Sequence, residues 1–176
     1  MPHTPANAKF KAINIAVLTV SDTRTEETDK SGRYLSTQLQ EAGHTLAEKV
    51  ILHDDIYQIR ALISRWIAED STDAILITGG TGITGRDVTP EAVTPLFDKT
   101  IEGFGELFRT LSLEDIGAST IQSRAIAGQA NGTFIFCMPG STGACKLAWR
   151  NILKEQLDAR THPCNFINLI PRLKEV

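Results

Sequence analysis

Glycine, threonine and aspartate concentrate in the segment 79–87, GGTGITGRD, directly after the apolar segment 73–78. Glycine lets the backbone approach a ligand closely and adopt positive φ, and successive backbone amides can form a concavity that holds phosphate oxygens. A tight turn between a strand and a helix is the alternative, but three glycines and a threonine within residues 79–82 favour ligand binding. We therefore predict a site here for an anionic, phosphate-bearing small molecule.

Asp87, beside Arg86, is a candidate cation ligand at the end of this segment. Mg²⁺ is commonly bound by one or two carboxylates together with phosphate oxygens of a ligand, so Asp87 could hold it against the bound phosphates. Asp87 could instead cap the helix that begins at residues 89–90, where we expect Thr89 to cap and Pro90 to take the first helical position. The local sequence leaves both roles of Asp87 open.

Asp54 and Asp55 follow the predicted second strand, residues 45–52. Helix capping is the simpler explanation for this pair, and the local sequence favours it. We expect the second strand to lie next to the first, residues 13–20, so that its end also reaches the site. In that arrangement Asp54 and Asp87 could share one magnesium ion.

The segment 139–142, PGST, follows another apolar strand. Ser141 is a predicted helix cap, and amides at the start of a helix can also bind an anion. Lys146 lies one turn further along that helix. Arg124 could reach a phosphate if its segment borders the site, but the pattern does not place it. The histidines have no serine or cysteine partner at a telling spacing, so no nucleophile–base triad is predicted.

Two common nucleotide-binding motifs do not fit the glycine-rich segment. Gly80, Gly82 and Gly85 match the letters GxGxxG, but this motif belongs after a first strand and opens directly into a helix. Here it follows the third strand, and no strand ending in an acid comes about twenty residues later. No Gly-Lys-Ser/Thr follows, so the Walker A loop of P-loop nucleoside triphosphatases is excluded as well.

Four apolar segments, 13–20, 45–52, 73–78 and 133–138, must position these residues as strands. Strands that are apolar on both faces are typical of a parallel sheet covered by helices, which predicts a three-layer α/β/α sandwich. Asn131 and Gly132 predict a hairpin turn, which allows one antiparallel edge. Ligands of such sheets bind beyond the carboxyl ends of the strands. One other helix is expected at about 32–42, and a second begins at a cap formed by Asp54 or Asp55 and has apolar positions at Ile59, Leu62, Ile63, Trp66 and Ile67. A third lies within 103–116, with Phe104, Leu107, Phe108 and Leu111 as its buried stripe, and a long one follows residue 142 through about 157.

Length and composition fit one globular domain, with a flexible arm at residues 1–11 and the domain at 12–176. The net charge of −3 gives no broad field for nucleic acid. The three cysteines show no CxxC spacing, which argues against a disulfide framework and a structural zinc site. We find no apolar run long enough to cross a membrane and no signal peptide, so we expect a cytoplasmic protein with no membrane partner.

Five short motifs follow one another along the chain in an order that is typical of one protein family. They are 17–22 VLTVSD, 78–82 TGGTG, 86–92 RDVTPEA, 103–106 GFGE and 138–142 MPGST. In this order they resemble the MoaB/MogA family of molybdopterin-binding proteins, and the likeness extends over most of residues 13–164. The version PGST, with 123–128 SRAIAG and 157–165 LDARTHPCN, is more similar to the MoaB branch.

The resemblance implies an adenylyltransferase of molybdenum cofactor biosynthesis. In this family the terminal phosphate of molybdopterin attacks ATP with Mg²⁺ present, and another protein of the pathway then supplies molybdate to the product. The resemblance also implies a homo-oligomer, a trimer or a hexamer. It makes Asp87 and Asp54 the catalytic and metal-binding residues. The implied ligand-binding residues are Ser21, Asp22, Thr78, Gly79, Gly80, Thr81, Gly82, Arg86, Gly140, Ser141 and Thr142. A non-catalytic molybdopterin-binding, carrier or scaffold protein is the alternative that the same fold permits.

Overall fold

A six-stranded sheet is the middle layer of the computed structural model, which describes residues 4–5 and 7–175. The strand order is β2-β1-β3-β6-β5-β4. The neighbours from β2 to β6 are parallel, whereas β5 is antiparallel to both β6 and β4. The strands are β1 (Asn14–Val20), β2 (Thr45–Leu52), β3 (Ala74–Thr78), β4 (Lys99–Thr100), β5 (Ile126–Ala130) and β6 (Thr133–Met138). The predicted mostly parallel sheet with an antiparallel edge is confirmed.

Helices cover both faces of this sheet, which confirms the three-layer sandwich. The helices are α1 (Lys30–Glu41), α2 (Ile56–Ala68), α3 (Thr89–Val93), α4 (Glu102–Ile116), α5 (Thr142–Ala148) and α6 (Lys154–Gln156). One apolar core joins the sheet to α1, α4 and α5, and includes Leu35, Phe108 and Ala148. A second core on the opposite face joins it to α2 and α3, and includes Ile63 and Val93.

The strand β1 shows why its sequence is apolar without alternation. Ile15 and Val17 belong to the core under α1, α4 and α5, and Leu18 belongs to the core under α2 and α3. All three side chains are fully buried. Burying a side chain of this size contributes about 1.5–3 kcal/mol, so both faces of the strand stabilise the fold.

The order of the strands creates a crevice between β1 and β3. The chain leaves β1 through α1 to pair β2 on one side, and returns through α2 to pair β3 on the other side. Because α1, which follows β1, and α3, which follows β3, lie on opposite faces, the segments that leave β1 and β3 diverge at the carboxyl edge of the sheet. This is the switch point at which open α/β sheets bind ligands.

The antiparallel edge is formed by a hairpin. Asn131 and Gly132 connect β5 to β6 with φ values of 45° and 87°, as the predicted Asn-Gly turn requires. The strand β4 has only two residues, which is too short to give a periodic signal, and it was not predicted.

Three details of the helices differ from the sequence predictions. Thr89 is the first residue of α3 rather than its cap, because its hydroxyl donates to the carbonyl of Gly79 at 2.8 Å. Leu107 was predicted in the buried stripe of α4 but is 45% exposed. The predicted long helix after residue 142 is interrupted by a π-helical turn, Trp149–Leu153, between α5 and α6.

The described part of the predicted N-terminal arm contacts the end of the chain. Thr4 is buried, and its hydroxyl donates to the carbonyl of Thr161 at 2.7 Å. It also accepts a hydrogen bond from the side-chain amide of Asn165 at 3.0 Å. Residues 1–3 and 6 of the arm lie outside the described residues. Within 4–5 and 7–175, no helix combines the length and the apolarity that crossing a bilayer requires.

Candidate active site

A cavity of about 350 Å³ lies at the carboxyl edge of the sheet, beside the ends of β1 and β3. It brings together residues from four separate parts of the chain that the sequence could not join by spacing alone. Of the residues predicted for the site, the cavity is lined by Ser21, Asp54, Thr78, Gly79, Gly80, Thr81, Gly82, Arg86, Asp87 and Gly140.

Gly79 and Gly80 give the cavity a floor made of backbone. Both have positive φ, 106° and 62°, a conformation that side chains disfavour. A Cβ atom at Gly79 would lie 2.1 Å from the carbonyl oxygen of Val20, and one at Gly80 would lie 2.8 Å from Oδ1 of Asp54. The loop is fastened to α3, because the amide and hydroxyl of Thr89 donate to the carbonyls of Gly80 and Gly79 at 2.9 and 2.8 Å.

Asp87 is held by its own loop and not by a helix end. Its Oδ2 accepts from the amide of Thr84 at 2.9 Å and from the hydroxyl of Thr84 at 2.6 Å. The carboxylate lies over Gly82, where a Cβ atom would come within 2.7 Å of it. The hydrogen bond from the Thr84 side chain is the main reason why the pKa of Asp87 is lowered. The side chain is therefore ionised at neutral pH.

Asp54 and Asp55 divide the two roles that the sequence left open. Asp55 caps α2, since its Oδ1 accepts from the amides of Tyr57 and Gln58 at 2.9 Å each. Asp54 lines the cavity instead. Its pKa is raised, first by burial and then by the negative charges of Asp22 and Asp87. This crowding of like charges favours a bound cation.

Asp22 and Arg86 form an ion pair at the rim of the cavity. The guanidinium of Arg86 donates to both carboxylate oxygens of Asp22, with Nε–Oδ2 at 2.9 Å and Nη2–Oδ1 at 2.8 Å. This hydrogen bond lowers the pKa of Asp22. Asp22 itself does not line the cavity, whereas Arg86 does. The side chains of Arg86 and Asp22 are 67% and 37% exposed, so solvent screens the pair.

Ser141 and Thr142 lie beside the cavity and do not line it. Ser141 is the cap of α5, as predicted, and accepts from the amide of Ala144 at 3.1 Å. The hydroxyl of Thr142 lies 3.3 Å from that of Ser31. Ser31 also donates to the carbonyl of Gly140 at 2.8 Å, so this loop reaches the cavity through Gly140.

The cavity also contains residues that sequence reasoning missed. Asp29 is buried, caps α1 and lines the cavity with Thr19. Its Oδ2 accepts from the Thr19 hydroxyl at 2.9 Å and lies 3.1 Å from Nζ of Lys49. Thr19 was a usable signal, because it is a polar residue inside an otherwise apolar strand. Asp29 lies in the polar segment 21–31, for which the sequence predicted a loop, and no local signal distinguishes it from the other polar residues there.

Arg124 and Lys146 do not face the cavity. The guanidinium of Arg124 donates to the carbonyls of Gly82 and Asp87 at 2.7 and 2.8 Å. The exposed side chain of Lys146 lies over the ring of Tyr34, with Nζ 6.0 Å from its centroid. Neither side chain is therefore placed to bind a phosphate in this cavity.

Asp54 and Asp87 are the residues that fit a divalent cation. Within the described parts of the chain, no three His, Cys, Asp or Glu side chains are grouped to hold a metal ion. Mg²⁺ does not require such a group, because it accepts one or two carboxylates with phosphate oxygens and water completing its shell. The carboxylates of Asp54 and Asp87, beside the glycine-rich loop of residues 79–82, meet that requirement.

Fold and cavity together define an α/β protein with a candidate ligand site at the switch point of its sheet, lined by glycine-rich backbone and by the carboxylates of Asp54 and Asp87. The sequence profile of a family described as "Probable molybdopterin binding domain" matches residues 16–159. The chain belongs to this family.

Individual relatives agree with this assignment. "Molybdenum cofactor biosynthesis protein B" of Escherichia coli (strain K12) is 58% identical over 160 residues, covering 91% of this chain and 94% of that protein. The protein of the same name from Bacillus subtilis (strain 168) is 49% identical over 146 residues, covering 82% and 86%. A crystal structure of tungsten cofactor synthesizing protein MoaB from Pyrococcus furiosus is 33% identical, with a TM-score of 0.76 and coverage of 94% and 99%. The resemblance to the MoaB/MogA family is thus confirmed.

Proposed function

We propose that this protein acts in molybdenum cofactor biosynthesis as a Mg-ATP-dependent molybdopterin adenylyltransferase. The role in the pathway is supported by the family and by the names of its close relatives. The observation that carries the catalytic proposal is the convergence of Asp54 and Asp87 on one cavity floored by residues 79–82. Asp54 and Asp87 come from segments 33 residues apart, and only the fold brings them together.

The proposed reaction is a nucleotidyl transfer. An oxygen of the terminal phosphate of molybdopterin attacks the α-phosphorus of ATP and forms a new P–O bond. The bond from the α-phosphorus to the oxygen that bridges to the β-phosphate breaks, and pyrophosphate leaves with that oxygen. The products are adenylyl-molybdopterin and pyrophosphate. Transfers at phosphorus depend on positioning and charge stabilisation and need no covalent nucleophile from the protein.

Each part of the cavity has a role in this reaction. The backbone of residues 79–82 offers amides to phosphate oxygens, as glycine-rich loops commonly do. Arg86 can turn from Asp22 to a phosphate at the rim. Asp54 and Asp87 would hold Mg²⁺, which supplies charge neutralisation for the phosphates of ATP when it is bound. The depressed pKa of Asp87 keeps its carboxylate ionised for this purpose.

The remaining partners follow from the same proposal. We expect a homo-oligomer, a trimer or a hexamer, and a passing of the product to another protein of the pathway. Apolar side chains that are exposed on a single chain suit such assembly. They are Leu107, Leu113, Ile116 and Ile121, on α4 and the segment after it. The cytoplasm, which holds ATP and Mg²⁺, is the compartment we propose.

Labelled ATP tests adenylyl transfer against the alternative. Purified protein is incubated with molybdopterin, Mg²⁺ and ATP that carries label either at the α- or at the γ-phosphate. The proposal predicts α-label in the pterin product and γ-label in pyrophosphate. Binding of molybdopterin with neither product would establish the non-catalytic carrier or scaffold. Label from the γ-phosphate in the pterin would mean phosphoryl transfer instead.

A further inference from the structure

The segment 82–87, which carries Asp87, is an exposed loop, and the ion pair of Arg86 with Asp22 ties one of its side chains to the rim of the cavity. Ile83, at its start, is 69% exposed. The loop closes on itself through Thr84 and Asp87, whose amide donates to the carbonyl of Thr84 at 3.0 Å. Bonds inside a loop fix its shape, but they do not fix its position relative to Asp54 across the cavity.

Arg124 fastens the backbone of this loop to the domain at both of its ends. Its Nε donates to the carbonyl of Gly82 at 2.7 Å, and its Nη2 donates to the carbonyl of Asp87 at 2.8 Å. One guanidinium therefore grips both ends of the segment 82–87. The backbone amide of Arg124 donates to the carbonyl of Thr81 at 3.1 Å, which extends the attachment to the phosphate-binding loop.

Arg124 is itself held from the other side. Its guanidinium forms an ion pair with Glu91 of α3. It lies two residues before β5, and the residue between them, Ala125, is buried. The side chain is 30% exposed, so the pair is partly shielded from water. The planar guanidinium holds its N–H donors in fixed directions, so it can bind two carbonyls and a carboxylate at once. The ammonium group of a lysine cannot reproduce that geometry.

We propose that Arg124 is a positioning residue, which sets the carboxylate of Asp87 against the cavity by clamping the carbonyls of Gly82 and Asp87. The proposal rests on the proposed function for its effect on turnover, but the clamp itself is independent of that function. Arg124 does not line the cavity, so it acts through Asp87 and not on the substrate.

Arg60 provides a matched control. Its Nε and Nη2 donate to the carbonyls of Ala92 and Glu91 at 3.1 and 2.8 Å. It is thus a second guanidinium that clamps two carbonyls, but on α3 and not on the loop. Replacing it removes the same kind of bonds from the backbone of Glu91 and Ala92, but it removes none of the bonds from Arg124 to Gly82 and Asp87.

Hydrogen exchange at the backbone amides of residues 82–87 tests the clamp directly. Arg124→Gln, Arg124→Lys and Arg60→Gln are compared with the parent protein, and the melting temperature of each is recorded. Hydrogen bonds to charged groups are commonly worth about 1.5–3 kcal/mol, so we expect Arg124→Gln to speed exchange in this segment about tenfold or more. Arg124→Lys should fall between parent and Gln, and Arg60→Gln should leave exchange at 82–87 unchanged.

Magnesium dependence of pyrophosphate release is the second readout. Arg124→Gln should raise the Mg²⁺ concentration for half-maximal turnover and lower turnover at saturating Mg²⁺ by about tenfold or more, because Asp87 is no longer held in place. Arg60→Gln should keep the parental values at a similar loss of melting temperature. If Arg124→Gln does not fold, Arg124→Lys and Glu91→Gln carry the test, with smaller changes in the same direction.

Two results would overturn the proposal. One is unchanged exchange at 82–87 in folded Arg124 variants. The other is an equal effect of Arg124→Gln and Arg60→Gln on exchange and on magnesium dependence, since both would then act through general stability. If the parent releases no pyrophosphate, the proposed function fails, and the exchange result alone decides whether the clamp exists.

Discussion

At the scale of single residues, the neighbours Asp54 and Asp55 show how two identical side chains are given different tasks by their surroundings. The cap role belongs to Asp55, which accepts two amides of α2. Asp54 lines the cavity, and its burial together with the negative charges of Asp22 and Asp87 raises its pKa. A site that crowds carboxylates costs stability in the absence of a cation, and that cost is measurable.

Asp54→Asn should therefore stabilise the metal-free protein at pH 7. A carboxyl group with a raised pKa in the folded state contributes stability below its ordinary pKa, 3.8, and that contribution is lost as pH rises through the raised value. Asparagine at position 54 carries no charge, so the destabilisation that the ionised carboxylate causes at pH 7 is absent. Because solvent screens a half-exposed group, we expect the melting temperature to rise by only about 1–3 °C at pH 7. The gain should vanish near pH 4, as differential scanning calorimetry at both pH values can show.

Asp55→Ala is the matched variant with the opposite sign. Loss of a helix cap costs about 0.5–2 kcal/mol, which lowers the melting temperature of a domain of this size by about 1–8 °C. The decrease should be present at pH 7, and turnover should remain within a few-fold of the parent. If Asp54→Asn and Asp55→Ala lowered the melting temperature alike at pH 7, the assignment of separate roles would be wrong.

The binding of Mg-ATP should also depend on the protonation of Asp54. Its raised pKa means that the carboxylate becomes protonated at a higher pH than an ordinary aspartate as the solution is acidified. Asp87, with its lowered pKa, remains ionised over that range. We expect Mg-ATP affinity, measured by titration calorimetry, to fall in the parent as the pH is lowered from 7 toward 3.8, and to begin falling at a higher pH than an ordinary aspartate would cause. Asp54→Asn should bind more weakly at pH 7 and show a flatter pH profile.

At the scale of elements, the loop from β3 to α3 depends on glycine at particular positions and not throughout. Gly80→Ala would force a side chain into positive φ and bring Cβ to 2.4 Å from the hydroxyl of Thr89 and 2.8 Å from Asp54. We expect a loss of about 1–3 kcal/mol in the free energy of unfolding, together with loss of ligand binding. Urea unfolding measures the first, and calorimetric titration with Mg-ATP the second.

Gly85→Ala is the control for this loop. A Cβ atom at Gly85 would meet no atom within 4 Å, and its φ is not positive. The free energy of unfolding should change by less than about 0.5 kcal/mol. A loss at Gly85 as large as that at Gly80 would show that the loop tolerates no side chain at all, contrary to the geometry described.

The same loop shows how far sequence reasoning reached. The buried strand before it, the glycines and the aspartate after it are local signals, and the structure assembles Thr78, residues 79–82 and Asp87 into one cavity. The clamp by Arg124 was out of reach, because it joins residues about forty positions apart through backbone carbonyls, which carry no sequence signal. Asp29 was missed for a related reason, since its partners Thr19 and Lys49 belong to two strands.

At the scale of the whole molecule, the order of the strands matters more than any single motif. The letters GxGxxG suggest a dinucleotide, but in this fold Gly80 and Gly82 follow β3 and the next helix, α3, begins only at Thr89. The position of the loop at the switch between β1 and β3 explains why carboxylates from the ends of β2 and of the loop meet there.

Assembly is a further prediction at this scale. Native mass spectrometry should give a mass three or six times that of the 19.3 kDa chain. The exposed apolar side chains on α4 and the segment after it, Leu113 and Ile121 among them, suit burial in such an assembly. A monomer at micromolar concentration would contradict the expectation.

The most direct test of the central claim compares the parent with Asp87→Asn and Gly85→Ala in one assay, which follows pyrophosphate and adenylyl-molybdopterin together from molybdopterin and Mg-ATP. Losing one charge-stabilising group typically costs about two orders of magnitude or more in turnover. The account predicts both products from the parent and from Gly85→Ala, and at least a hundredfold less from folded Asp87→Asn. Turnover of Asp87→Asn within a few-fold of the parent would contradict the catalytic role of Asp87, and the absence of both products from the parent would contradict the enzyme.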